Sequence, residues 1–332
     1  SVKTMLEQGV QPDVIVCRTE RPLNEGVKAK IAQFCNVTED SVIESIDAET
    51  IYDVPMLMRE ENLDIVVLDK TRTKIPKEFD LSNWEQFLKR LKNPKYEVDI
   101  ALVGKYVELK DAYKSITESF VHGGSANECK VNIKLIHSEQ VNAKTASKLL
   151  KEMDGILVAP GFGGRGIEGK IDAIKYARQN SIPFLGICLG MQCAAIEFSR
   201  NVLGHKNAHT TEIDESTSYP IIDLMEEQKN VEEMGGTMRL GAYECRLDEE
   251  SKSFEAYQKD LISERHRHRF EFNNKYRQEF RKAGMRLAGI NPKEDLVEII
   301  ELENHPWFVG VQFHPEYKST VGYPHPLFVG FI

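Results

Sequence analysis

Long apolar runs are missing from this 332-residue chain. None approaches the roughly 20 residues that a membrane-spanning helix needs, and the opening residues Ser1-Val2-Lys3-Thr4-Met5 lack the basic and apolar regions of a signal peptide. Cysteine is sparse and scattered, at positions 17, 35, 129, 188, 193 and 245, with no C-x-x-C pair. That spacing supports neither a disulfide framework nor a structural zinc site, so reduced thiols in the cytoplasm are expected. Basic charge is in deficit, and the net charge of -9 argues against nucleic acid as the main partner. Internal repeats and low-complexity tracts are absent as well. With 41% apolar and 29% charged residues, what remains is a globular chain long enough for two domains. It opens on Ser1 and stops at Gly330-Phe331-Ile332 with no polar tail, so a fragment of a longer protein is expected.

The pattern along the chain is α/β. A short helix precedes the β-branched run Asp13-Val14-Ile15-Val16-Cys17; Val27 to Phe34 has helical spacing; Val42 to Ile46 reads as a strand; and Ile51 to Leu57 leads into a helix. Lys70, Arg72, Lys74 and Lys77 crowd around Pro76, and a helix near Trp84 to Leu91 ends at Asn93-Pro94. Residues 71–97 are therefore expected to link domains 1–70 and 98–332. From Val98 a strand-helix alternation begins, with strands at Val98–Gly104, Val131–Ile136, Gly155–Ala159, Ile182–Leu185 and Phe308–Phe313 and helices at Tyr113–Val121, Ala143–Met153 and Glu168–Arg178. The spacing predicts a doubly wound, mostly parallel sheet with helices on both faces.

In such a sheet the carboxyl ends of the strands carry the chemistry, and two candidates fall there. Gly186-Ile187-Cys188-Leu189-Gly190-Met191-Gln192 is a thiol at a strand-to-helix turn, where flanking glycines allow strained angles and the helix N-terminus favours the thiolate. A buried structural cysteine is the competing reading. His314-Pro315-Glu316 supplies a base and an orienting carboxylate, since residues i and i+2 of an extended segment point the same way. The loop Pro160-Gly161-Phe162-Gly163-Gly164-Arg165-Gly166 has the bare backbone that an oxyanion hole needs. Its continuation, Gly164 to Lys170, also has the spacing of a phosphate-binding loop, but Ile171 stands where Ser or Thr belongs. In the run Glu264 to Arg269, alternation turns either 265/267/269 or 266/268 inward. An inward Arg suits a carboxylate ligand. His266 and His268 show no third metal ligand nearby in sequence, so no metal site is expected.

Gly186 to Gln192 together with Gln312-Phe313-His314-Pro315-Glu316 resembles the class I (triad) glutamine amidotransferases. Val103-Gly104-Lys105-Tyr106, Gly235 to Gly241 and Glu264 to Phe270 narrow the resemblance to the CTP synthase family, and Gln11-Pro12-Asp13 and Ala29 to Cys35 look like the end of its synthetase domain. The resemblance implies that Cys188 attacks the side-chain amide of glutamine, with His314 as base then acid and Glu316 orienting it. The N–H groups of Gly161 and Leu189 would hold the oxyanion. Gly161, Leu189, Gly190, Met191, Gln192, Glu212 and Arg269 would hold glutamine, Glu212 facing its α-ammonium and Arg269 its α-carboxylate. The released ammonia would serve a synthetase domain that aminates UTP with ATP and Mg2+, in a homotetramer activated by GTP. Lys30 matches a UTP-contacting position, and Ile46, Asp47 and Ala48 match a segment lining the adenine of ATP. GTP would bind around Arg165 and Thr237 to Arg239.

Two departures from the family pattern stand out. The family usually reads Pro-Gly-Gly-Phe-Gly in the oxyanion loop, whereas this chain reads Ala159-Pro160-Gly161-Phe162-Gly163, which fixes φ just before the glycine. No complete phosphate-binding loop is present, so the ATP and UTP sites would be incomplete in these residues. Two alternatives are another triad amidotransferase, for which the 235–241 motif and the basic run have no use, and a non-catalytic assembly module, which would lack Cys188, His314 or Glu316.

Overall fold

The computed structural model of the chain describes residues 2–76, 79–109, 111–224 and 238–332. They fall into two compact units that divide between Leu88 and Lys89. The first unit carries β1 (Ile15–Thr19) and β2 (Val42–Ile46), which pair in parallel. Helices Glu25–Cys35, Val54–Glu60 and Leu63–Lys70 accompany them. Local sequence sets the bounds of the first of these helices. Asn24 caps its start by accepting from the Val27 N–H at 2.9 Å, and Asn36 ends it in the left-handed region at φ 53. Helix Ser82–Lys92 begins in this unit, where the Trp84 indole donates to the Tyr52 carbonyl at 2.8 Å and buried Phe87 meets the Tyr52 ring edge-on at 5.0 Å.

The second unit is built on a nine-stranded sheet. Its strands are β3 (Tyr96–Gly104), β4 (Cys129–His137), β5 (Gly155–Val158), β6 (Phe184–Ile187), β9 (Arg239–Leu247), β10 (Leu261–His268), β12 (Met285–Ile290), β13 (Val297–Leu302) and β14 (Phe308–Val311), in the order β10-β9-β12-β13-β14-β6-β5-β3-β4. The five strands β14-β6-β5-β3-β4 are parallel, as the alternation predicts. The remaining four extend the sheet antiparallel, from residues that the strand-helix alternation does not reach. Strands β7 (Ala208–Thr210), β8 (Tyr219–Leu224) and β11 (Phe270–Phe272) form a separate small sheet.

Burial explains the layering. Along β3, Ala101 and Val103 join one core with Ile171, Ile174, Ala194 and Phe198 of helices Ile167–Gln179 and Leu189–Asn201. The alternate residues Ile100 and Leu102 join a second core with Ile116 and Phe120 of helix Lys114–Ala126 and Leu327 and Phe328 of helix Pro326–Phe331. A strand buried on both faces reads as a continuous apolar run, because each face must be covered by helices. Each fully buried Val, Leu, Ile or Phe side chain among them contributes about 1.5–3 kcal/mol. Gly190 sets how closely helix Leu189–Asn201 lies on the sheet: a Cβ there would stand 2.3 Å from the Val158 carbonyl oxygen.

Candidate active site

Three neighbouring parallel strands, β5, β6 and β14, end side by side, and each delivers one part of the site. The loop from Pro160 follows β5, Cys188 follows β6, and His314 lies three residues beyond β14. Cys188 itself is strained, at φ 52 and ψ -104. Its N–H donates to the Val311 carbonyl on β14 at 2.7 Å, and its own carbonyl accepts from the Gln192 N–H at 3.1 Å. These bonds hold a backbone conformation that costs about 1–3 kcal/mol. The strain therefore sits on the cysteine rather than on its flanking glycines, neither of which has a positive φ. The glycines serve close approach instead: a Cβ on Gly186 would lie 2.8 Å from the Gly190 backbone.

The His314 imidazole Nδ1 bonds the Glu316 carboxylate at 2.7 Å, and both side chains are buried. They meet across the 3₁₀ turn Pro315–Tyr317, not along an extended segment, and the ring stacks on Tyr317 at 4.9 Å. Burial disfavours the imidazolium, but Cys188 and Glu316 more than reverse this and push the His314 pKa up to about 11. The Nε2 atom has no hydrogen-bond partner among the described residues, which suits an atom that must exchange a proton with a nucleophile and a leaving group. Cys193, five residues on, shows the other fate of a thiol: it is fully enclosed, and desolvation pushes its pKa up to about 11.

A pocket opens at Cys188, lined by Gly161, Phe162, Gln192, Glu212, Met238, His268, Arg269 and Phe270. It brings together five of the residues singled out in the sequence: Gly161, Cys188, Gln192, Glu212 and Arg269. Glu212 accepts from the Gly163 N–H at 2.9 Å, while Gln192 donates to the Phe270 carbonyl at 2.9 Å and to Gln312 at 3.2 Å. Gln312 in turn lies 3.8 Å from the Cys188 sulfur. Leu189, Gly190 and Met191 form the buried first turn of the following helix and do not line the pocket. Lys30 is exposed on helix Glu25–Cys35, and Ile46, Asp47 and Ala48 lie at the carboxyl end of β2, with the Asp47 N–H donating to Thr19 at 3.1 Å.

The phosphate-loop spacing of Gly164 to Lys170, which Ile171 already spoke against, has no matching geometry: Lys170 is fully buried and its ammonium donates to the Ala159 carbonyl at 2.5 Å, out of reach of a phosphate. Other expectations need correction. Strand β10 turns His266 and His268 inward and leaves Arg265 and Arg267 outside, as befits the edge strand of the sheet. Arg269 reaches the pocket because it lies past the end of that strand, where the alternation stops. The two histidines do acquire a third ligand-type group, Glu298 of β13, with ligand atoms within 4.8 Å of one another. The cluster already holds its cation, however. Arg239 bonds Glu271 at 3.0 Å and Glu298 at 2.9 Å, and the two histidine rings bond each other at 2.7 Å. Arg239 is thus sealed in the protein and not available to GTP; Arg165 is half-exposed, and Thr237 lies outside the described residues. Sequence gave no role to Lys105, Lys170 or Gln312, although Lys170 was visible as the odd lysine of the false phosphate loop.

Residues 108–332 match the family described as glutamine amidotransferase class-I, and residues 1–73 match CTP synthase N-terminus. The chain belongs to the class I glutamine amidotransferases. It is 57% identical to the CTP synthase of Flavobacterium johnsoniae and 60% identical to that of Cytophaga hutchinsonii, over 332 residues in each case. In both comparisons the whole of this chain is matched to 62% of the relative's length. Among solved structures it is similar to the glutaminase domain of Trypanosoma brucei CTPS with bound acivicin, at 37% identity and a TM-score of 0.67, over 70% of this chain and 92% of that one. Among the described residues no helix is long and apolar enough to cross a membrane.

Proposed function

We propose that this amidotransferase chain carries the glutamine-hydrolysing half of a CTP synthase. The observation that carries the reading is the strained Cys188 beside a His314–Glu316 pair, at the mouth of a pocket that also presents Glu212 and Arg269. The Cys188 sulfur attacks the side-chain amide carbon of glutamine. The oxyanion rests on the N–H groups of Gly161 and of Leu189, whose amide is among those that a helix leaves unpaired at its start. The imidazolium of His314 gives its proton to the departing ammonia, and the C–N bond breaks to leave a glutamyl thioester. Neutral His314 then takes a proton from water, which cleaves the thioester and releases glutamate. Arg269 pairs with the α-carboxylate of the substrate and Glu212 with its α-ammonium.

In the complete enzyme the ammonia would aminate UTP, activated by ATP, in a cytoplasmic homotetramer that GTP stimulates. Lys30 and Ile46 to Ala48 would lie toward UTP and ATP, in keeping with nucleotide sites at the carboxyl ends of parallel strands. Mg2+ prefers hard oxygen ligands. The one group of three potential ligands among the described residues contains two histidines and sits against Arg239, so these residues do not fit Mg2+.

The test is ammonia release from glutamine by the parent and by Cys188→Ala. Loss of the nucleophile is expected to lower the rate by roughly 10⁴-fold or more, with the thermal midpoint kept because little volume changes. Equal rates would overturn the mechanism.

A further inference from the structure

Two buried lysines hold the loop that follows β5. Lys170, fully enclosed on helix Ile167–Gln179, donates to the carbonyl of Ala159 at 2.5 Å and stands 3.5 Å from that of Pro160. Lys105, just past β3 and also buried, donates to the carbonyls of Phe162 and Gly163, the latter at 2.7 Å. The carbonyls of Ala159, Pro160, Phe162 and Gly163 are thus drawn to two cations.

Peptide geometry makes this directional. In a trans peptide the carbonyl and the N–H that follows it point in opposite directions. A cation at the Pro160 carbonyl therefore turns the Gly161 N–H the other way. The next fixed peptide shows the same device with both ends occupied: the Phe162 carbonyl accepts from Lys105, and the Gly163 N–H donates to Glu212 at 2.9 Å. Pro160 has no N–H of its own, so the Ala159–Pro160 peptide offers only an acceptor, and Ala159 is fully buried. Without Lys170 that carbonyl would be left unpaired. An ammonium in so dry a place persists only with such partners.

We propose that Lys170 and Lys105 are positioning residues that lock the 159–163 loop with the Gly161 N–H turned into the pocket, assembling the oxyanion hole before substrate arrives. The inference rests on the glutamine-hydrolysing role of Cys188. Its particular consequence is that this loop, with a proline directly before the glycine, owes its orientation to two side-chain cations, one from the helix it leads into and one from just past the neighbouring strand β3. Burial, opposed by Cys193 and Cys188 and aided by the like charge of Lys105, lowers the Lys170 pKa to about 8, so the cation persists at neutral pH.

The experiment is Lys170→Met, of similar length but without donors. The kcat for glutamine hydrolysis is expected to fall by roughly 10- to 100-fold, with KM changed by less than about 3-fold, since Arg269 and Glu212 remain. Alkylation of Cys188 by iodoacetamide is expected to keep its rate, because that displacement forms no oxyanion. Hydrogen exchange at the Gly163 amide, which donates to Glu212, is expected to rise by about tenfold or more as the loop loosens. An unchanged kcat, or an alkylation rate that falls in step with kcat, would overturn the proposal. If Lys170→Met does not fold, Lys105→Met decides by the same measurements. If the parent releases no ammonia, the reading of Cys188 fails instead. Hydrogen exchange in the variant then decides this one, since unchanged protection at Gly163 would overturn it.

Discussion

Two assemblies of histidine and glutamate are buried on this scaffold, and they behave in opposite ways. At the pocket, His314 pairs with Glu316 beside Cys188, and its pKa is raised. In the cluster around Arg239, whose His268 also borders the pocket, burial and the positive charges of Arg239 and His314 push His266 down to about 3, and burial with the charges of His266, Arg239 and His314 takes His268 well below its ordinary value. The carboxylates also stand farther off, with Glu298 3.7 Å from His266 and Glu271 3.4 Å from His268, against 2.7 Å between Glu316 and His314. The difference is who holds their charge. Glu316 and the thiol face His314 with no arginine between them, whereas Arg239 takes both Glu271 and Glu298 for itself. A histidine beside a glutamate is therefore not yet a base or an acid; the third partner decides.

The comparison breaks most visibly at its arginine. Arg239→Met leaves Glu271 and Glu298 buried without their cation, and a loss of about 3–5 kcal/mol is expected in chemical denaturation. Were stability unchanged, the cluster would not be the sealed ion network described here. Arg269 is the contrasting arginine, open to the pocket. Arg269→Ala is expected to raise KM for glutamine at a cost of ~2 kcal/mol, about 30-fold, while the unfolding midpoint moves little. A KM equal to that of the parent would remove Arg269 from the substrate site.

The smallest effect is a pH dependence with opposing parts. His266 and His268 are neutral in the fold but take up protons in the unfolded chain below about pH 6.5, so their contribution to stability is lost as pH falls. Burial pushes Glu298 up to about 7 and raises Glu271 well above its usual range, with Arg239 pulling both back, Glu298 raising Glu271 further and Glu294 raising both. Their uptake of protons in the fold adds stability as pH falls from about 7 to about 4.5. The two tendencies offset each other there, and net loss from this cluster is expected mainly between about pH 4.5 and 3. In Glu298→Gln one offset is gone, so the melting temperature is expected to start falling already below about pH 6.5. Identical pH profiles for parent and variant would show that Glu298 does not titrate with the histidines.

Much of the fold was legible because β-branched runs alternate with helical spacing from Val98 to Leu185. The strand Val42–Ile46 and the helices around 168–178 and 84–91 lie where local pattern puts them, to within a few residues. The antiparallel half was legible only in part. The run from Glu264 alternates as β10 does, but β12 and β13 are nearly continuous buried runs whose pairing is fixed only by their neighbours in the sheet. Arg239 illustrates the limit: its place in a conspicuous motif suggested a ligand contact, but only the fold shows Glu271 and Glu298 arriving from two other strands to enclose it.

By itself the sequence determined the chemistry available: a thiol at a strand-to-helix turn, a histidine two residues from a glutamate, and a bare loop, each at the end of an apolar strand. Tertiary structure alone decided that these ends are neighbours, since β6 pairs with β5 on one side and with the far-distant β14 on the other. It also decided that Cys188 carries the backbone strain and that Lys105 and Lys170 face the loop rather than a phosphate. The reason is physical. A residue type fixes what a side chain can donate, accept or ionise, whereas its partners, and so its charge, come from strands that are adjacent only after the sheet has formed.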